Sequence, residues 1–232
     1  MRPIARLAAC DSCPLKDQDC VSGVGRDHAK YVIVGEAPGR TEVATGVPFT
    51  GYAGKELKKA LTRNDIDRNA DAFVTNTVLC RPVPNPDGTD NPPPASAIKA
   101  CLGRLIQDIT SHDPDAVLAL GGPAARTLLG LREGIRVLRA RGCQKSRLFV
   151  PPVVATFHPA SREPNKLDVM AADVANLVAC GEAYRSARPY ADPVATAPPF
   201  RAGLLDPGMG RSNSGGSPRS SCAGRSDQRC QG

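Results

Sequence analysis

Tryptophan is absent from this 232-residue chain, and phenylalanine and tyrosine together make up only 4% of it. Histidine occurs three times. With so few rings, each one that falls inside a motif carries weight. Long hydrophobic runs are also missing. No segment approaches the roughly 20 apolar residues that cross a bilayer. The opening MRPIARLAAC has no apolar stretch long enough for a secretory signal. No membrane partner and a cytosolic or nucleoid-associated location are therefore expected. Two phosphate-binding signatures are missing too. No G-x-G-x-x-G follows the first expected strand and no Walker A sequence occurs, which argues against an unrelated nucleotide-binding α/β enzyme.

What the chain does have is nine cysteines, 22 prolines, 22 glycines and a formal charge of +7. In a reducing compartment, cysteines are read as metal ligands or buried thiols before disulfides. The basic excess is compatible with a polyanionic partner but says nothing about fold. Part of that excess lies in residues 187–232, which are rich in Pro, Gly, Ser and Arg and lack apolar periodicity. Such a segment cannot bury enough surface to offset its ordering entropy. It is expected to be a disordered tail, and its Cys222 and Cys230 are not expected to be ligands. Residues 1–186 are expected to form one domain.

Short apolar runs alternate with helical patterns through that domain, as in an α/β sheet protein. Strands are expected at Tyr31–Gly35, Ala72–Val78, Ala116–Leu120 and Val153–Thr156. Helices are expected at Ala53–Arg63, at Ala95–Ser111, from an opening at Gly121-Gly122-Pro123 to about Leu129, and at Asp168–Arg185. The predicted architecture is three-layer α/β/α around a central, mostly parallel four-stranded sheet. Ligands in such sheets gather at the carboxyl ends of the strands. GEAPG (Gly35–Gly39), NTVLCRP (Asn76–Pro82) and TFHPA (Thr156–Ala160) fall there.

Those three segments, with CDSCPL (Cys10–Leu15), GVPFTGYAG (Gly46–Gly54), Cys101 and Arg141-Gly142, come in an order that resembles the family 4 uracil-DNA glycosylases. This is the iron–sulfur branch of that superfamily. The resemblance runs from about Cys10 to Arg185 and implies an enzyme that hydrolyses the N-glycosidic bond of uracil in DNA. Its partner would be uracil-containing DNA, single- or double-stranded, and the protein would act as a monomer that initiates base-excision repair. A base inside a duplex must first be flipped into a pocket.

Within the resemblance, Gly35, Ala37, Pro38 and Gly39 match the first pocket motif, and Phe49 matches the residue that stacks on the base. Asn76 matches the residue that reads the base edge. Its amide offers donor and acceptor together, complementary to uracil O4 and N3–H and mismatched to cytosine. His158 matches the histidine that donates to uracil O2, where charge collects as the bond breaks. Glu36 matches an acidic residue that positions or activates water, or supports the cationic sugar. Glu42 is a second candidate acid. Val43 stands where family members commonly have Asp. Ala160, Ser161 and Arg162 match a loop that enters the minor groove. Lys166 and Arg40 are further phosphate candidates.

The resemblance also implies a [4Fe–4S] cluster on Cys10, Cys13, Cys80 and Cys101. Zinc is a chemical alternative for the same four thiolates, and Cys20 is a competing ligand. Cys143 and Cys180 are expected to be buried thiols. The stretch between Cys80 and Cys101 is longer than is usual in the family and reads as a surface-loop insertion. Its PVPNPDGTDNPPP holds no His, Lys or Arg, which argues against the branch that captures uracil-DNA covalently through a loop histidine. Two other readings stay open: a glycosylase for a modified or mismatched pyrimidine, such as a 5-substituted uracil, and an inactive DNA-binding relative.

Overall fold

The computed structural model describes residues 8–131 and 141–188. The tail expected over 187–232, with Cys222 and Cys230, lies outside the described residues from residue 189 onward. The strands are β1 (Val24–Gly25), β2 (Tyr31–Gly35), β3 (Ala72–Asn76), β4 (Ala116–Leu120) and β5 (Val153–Thr156). The helices are α1 (Arg40–Thr45), α2 (Tyr52–Thr62), α3 (Arg68–Asp71), α4 (Ala95–His112), α5 (Gly122–Leu129) and α6 (Lys166–Ala187). A single 3-10 turn at Cys10–Ser12 precedes them.

The sheet order is β1-β3-β2-β4-β5, and β3, β2, β4 and β5 run parallel. The sheet therefore has five strands, not the expected four. The addition is the two-residue β1, which pairs antiparallel with β3 at Val24↔Val74 and Gly25↔Phe73. Two residues are too few to leave a period-2 pattern, so the sequence holds no sign of this strand.

Alternate residues of each strand feed opposite faces. Tyr31, Ile33, Leu118, Leu120 and Val154 pack with Leu57 and Leu61 of α2 and Met170, Val174 and Leu177 of α6. Val32, Val34, Val117, Ala119, Val153 and Ala155 pack with Leu105 and Ile109 of α4 and Leu128 of α5. Both faces are covered, which is why the strands are continuously apolar. The exit from β2 thus leads to the α2 face. The exits from β3 and β4, on either side of it, lead to the opposite face. The strand order reverses beside the carboxyl end of β2, the place where sheets of this kind bind ligands.

One expectation about cysteine is corrected. Cys143 and Cys180 are not both buried thiols: Cys143 is exposed, and the two are joined by a disulfide with Cα atoms 5.8 Å apart. That separation lies inside the ordinary range for a bridge.

Candidate active site

The ends of β2 and β3 bring Gly35, Asn76 and Phe49 together. β2 and β3 stay zipped beyond their last residues. Thr77 N donates to Gly35 O at 2.9 Å and Val78 N to Glu36 O at 3.2 Å, while the Thr77 hydroxyl also donates to Glu36 O. Gly35 is buried between Asn76 and Phe49. A Cβ built there would overlap both Asn76 Oδ1 and the edge of the Phe49 ring. Only glycine lets the amide and the ring approach each other so closely.

Asn76 is 2% exposed, and its Oδ1 has no hydrogen-bond partner among the described residues. An unsatisfied buried acceptor costs about 1–3 kcal/mol. Asn76 therefore presents a buried acceptor beside an aromatic ring, at the carboxyl end of a strand, where sheets of this kind gather ligands.

Phe49 is 7% exposed and packs into the α2-side core as well as against the pocket. Its backbone is left-handed, with φ of 55°, a conformation that costs about 1–3 kcal/mol outside glycine. Two charged side chains hold it there. Glu42 Oε1 accepts from Thr50 N at 3.1 Å and Gly51 N at 2.9 Å. The Arg68 guanidinium donates to Pro48 O and, at 3.3 Å, to Phe49 O. The Glu42 carboxylate also lies at the amino end of α2, where the helix dipole favours negative charge. Glu42 is thus built into the loop as a brace. Glu42→Ala removes two charge-assisted bonds, so a loss of about tenfold in kcat/KM is expected. The rise should be mainly in KM, checked by steady-state kinetics on an oligonucleotide substrate.

Glu36 follows β2 and is half-buried. Burial raises its carboxyl pKa, and the nearby Arg126 guanidinium on α5 partly offsets this. A carboxyl raised in this way is better matched to proton transfer near neutral pH. Ala37 and Gly39 are part-buried and Pro38 is buried. Asp90, from the insertion, lies near Gly39 and is held by Arg81 through bonds of 2.7 and 3.0 Å. The insertion folds back to the first pocket motif instead of standing free.

His158 lies two residues past β5. Ala160 N donates to its Nδ1 at 3.2 Å, which leaves the proton of a neutral ring on Nε2. Burial lowers the His158 pKa, Lys166 lowers it further, and Glu42 opposes them. Gly121, at the end of β4 with φ of 89°, lies against the His158 Cβ. In the loop that follows, Ser161 N donates to His158 O at 2.8 Å, and Ala160 and Arg162 are exposed. The Ser161 hydroxyl is buried without a partner among the described residues. Lys166 Nζ bonds Tyr52 Oη at 3.3 Å and sits 5.0 Å from the centre of that ring. Exposed Arg40 opens α1.

Sequence reasoning missed Arg68, Arg104 and Arg126. Arg104 on α4 is 1% exposed and donates to Asn76 O at 2.8 Å, Thr77 O at 3.1 Å, Thr75 Oγ1 at 3.0 Å and Asp108 at 2.7 Å. The one legible signal was a basic residue on the apolar stripe of α4, four residues before Asp108.

The expected cysteine ligands gather around a third apolar cluster, against which Ala37 of the first pocket motif also packs. Cys13 and Cys101 are buried in that cluster with Leu15, Val78, Ala97 and Ala100, and Cys80 packs against it. Ala9 N donates to Ala100 O at 2.9 Å, tying the first segment to α4. The Cys10 thiol pKa is raised by burial first, then by Cys101, Cys13, Asp11 and Cys20. Cys20 stands opposite Cys80 in an antiparallel bridge. Among the described residues, no three His, Cys, Asp or Glu side chains are arranged to hold a metal ion. In donor chemistry a set of four cysteine thiolates fits a [4Fe–4S] cluster, and zinc equally.

A profile of the uracil DNA glycosylase superfamily matches residues 22–187, and the chain belongs to that superfamily. Among curated proteins it is similar to the Type-4 uracil-DNA glycosylase of Pyrobaculum aerophilum, 38% identical over 66% of this chain and 78% of the relative. The Type-4 uracil-DNA glycosylase of Thermotoga maritima is 34% identical over 67% and 78%. That of Archaeoglobus fulgidus is 32% identical over 68% and 80%. No described helix is long and apolar enough to cross a membrane.

Proposed function

We propose that this protein is a uracil-DNA glycosylase of the type-4 kind, which flips uracil from DNA and hydrolyses its N-glycosidic bond. The observation that carries the reading is the unpartnered, buried Oδ1 of Asn76, set against Phe49 across Gly35. Uracil N3–H supplies the missing donor, and the same amide donates to O4. Cytosine N3 has no hydrogen to give. Phe49 stacks on the flipped base, with Gly35, Ala37, Pro38 and Gly39 forming the surrounding wall. Thymine is the harder competitor, because it shares the edge that Asn76 reads.

As the bond breaks, negative charge moves onto uracil O2, and His158 Nε2–H donates to it. A neutral donor aimed at the developing charge stabilises the transition state more than the ground state. Glu36 accepts a proton from the water that attacks the sugar carbon, with its raised pKa suited to that task. Ala160, Ser161 and Arg162 form the loop that fills the space left by the flipped base. Lys166 and Arg40 contact phosphate without reading sequence.

Cys10, Cys13, Cys80 and Cys101 would hold a [4Fe–4S] cluster. When bound, it cross-links the amino-terminal segment, the end of β3 and α4. Hydrolysis needs no redox chemistry from it. The protein is proposed to work as a monomer in the cytosol or at the nucleoid.

The test is a panel of labelled oligonucleotides. Wild-type protein, without added cofactor, should convert U:G, U:A and single-stranded U substrates to alkali-labile sites. It should leave cytosine and thymine controls intact. No cleavage of any uracil substrate would sink the proposal. Preference for 5-hydroxymethyluracil or a thymine mismatch would move it to a modified-pyrimidine glycosylase. Iron and sulfide analysis beside a zinc assay tests the metal.

A further inference from the structure

Cys20 has no place in the chemistry above, yet its position is defined by the backbone. Val21 N donates to Leu79 O at 2.8 Å, and Arg81 N donates to Asp19 O at 3.0 Å. These two bonds bracket the Cys20↔Cys80 bridge on either side. That pattern is the non-hydrogen-bonded pair of an antiparallel ladder. Its Cα atoms lie about 4.5 Å apart and its side chains leave the ladder on the same side. Disulfides span Cα separations of about 4.4–6.8 Å. Both residues are partly exposed and both carry thiols in the structure. Cys80 packs against the cluster of Cys13 and Cys101, so Cys20 adds a fifth thiol to the same patch.

We propose that Cys20 and Cys80 form a reversible disulfide when iron is lost, so that Cys80 serves the metal when reduced and Cys20 when oxidised. The consequence for the cluster rests on the four-cysteine ligand set proposed above; the disulfide itself rests only on the register. The co-reactant is a peroxide. The Cys20 thiolate attacks one peroxide oxygen, the O–O bond breaks, and hydroxide leaves to become water. This gives a sulfenic acid on Cys20. The Cys80 thiolate then attacks that sulfur. The S–O bond breaks, the S–S bond forms, and a second hydroxide takes up a proton. In total two thiols lose two protons and two electrons, and one hydrogen peroxide becomes two waters. A dithiol reductant reverses the bond by exchange. The disulfide would hold Cys80 below the irreversible steps of the oxidation ladder until iron returns.

The experiment uses the full chain, purified with its metal. Half is stripped of iron with a chelator under nitrogen, and both halves receive one equivalent of hydrogen peroxide. Thiols are then blocked and the digests mapped without reduction. A Cys20–Cys80 linked peptide should be the main new link in the stripped protein, be scarce in the metal-loaded protein, and vanish with dithiothreitol. A mixture of links, none at all, or Cys10–Cys13 in equal yield would overturn the proposal. Cys20→Ser keeps all four proposed ligands, so it should carry as much iron as wild type and yield no link to Cys80. Loss of iron from that variant would make Cys20 a ligand and would also overturn the proposal. If wild-type protein carries no iron as isolated, the ligand set fails, while the peptide map still tests the register.

Discussion

His158→Ala is expected to slow uracil release by about 100- to 1000-fold, the usual loss when one donor to a developing oxyanion is removed. The variant should still bind DNA, because phosphate contacts carry most of the affinity. Single-turnover release on a U:G duplex, beside a gel-shift titration, reads the two effects separately. Equal rates for variant and wild type would remove His158 from the mechanism. The ring's surroundings add a pH signature. Burial and Lys166 lower its pKa, so the neutral donor persists below the ordinary histidine range. Burial raises that of Glu36, so loss of the base begins above the ordinary glutamate range. The acid limb of kcat should therefore follow Glu36, and Glu36→Gln should flatten it along with slowing the reaction.

The lowered histidine pKa also makes a stability statement. Between the folded and unfolded values the unfolded chain binds a proton at His158 that the folded chain does not. Folding stability is thus lost as pH falls through the ordinary histidine range toward the lower folded value, and is fully present above that range. Wild type should melt at a higher temperature at pH 8 than at pH 5, and His158→Gln should reduce the difference.

Arg104→Met is expected to destabilise the fold by about 3–5 kcal/mol, the cost of leaving one member of a buried ion pair alone. The substitution leaves Asp108 without its 2.7 Å partner and removes donors from Thr75 Oγ1 and from the carbonyls of Asn76 and Thr77. Denaturant unfolding measures the loss. The double variant Arg104→Met, Asp108→Leu should recover part of it, because it removes the stranded charge. It should not recover activity to the same degree. Arg104 clamps the backbone on which the Asn76 amide is aimed, so KM for uracil-DNA should stay raised after stability returns. Full recovery of KM in the double variant would assign Arg104 to folding alone.

The two effects come from different levels of the molecule. His158 lies in a motif whose order in the chain was legible: TFHPA follows a run of apolar residues that forms β5. Arg104 lies in no motif. It looked like one charge on a helix, and its bonds to Thr75, Asn76 and Thr77 exist only because α4 packs at the end of β3. Arg68 is similar, since nothing in RNAD announces that its guanidinium holds the carbonyls of Pro48 and Phe49, about twenty positions earlier. The disulfide between Cys143 and Cys180 escaped for the same reason. Spacing along the chain does not report which surfaces meet.

The strands β2, β3, β4 and β5 and the long helices were set by local pattern. Both sheet faces are covered, so those strands had to be apolar along their whole length. The candidate pocket residues Glu36, Phe49, Asn76 and His158 came from the ordered motifs and the family they resemble, each standing at or just beyond a strand end or between glycines. Tertiary structure alone decided how these residues meet. It placed Gly35 where any Cβ would part Asn76 from Phe49. It braced a left-handed Phe49 with Glu42 and Arg68, and it opposed Cys20 to Cys80 across a bridge too short to leave a pattern. Sequence patterns record what each segment buries, whereas contacts between segments far apart in the chain depend on crossing angles and register that no single segment contains.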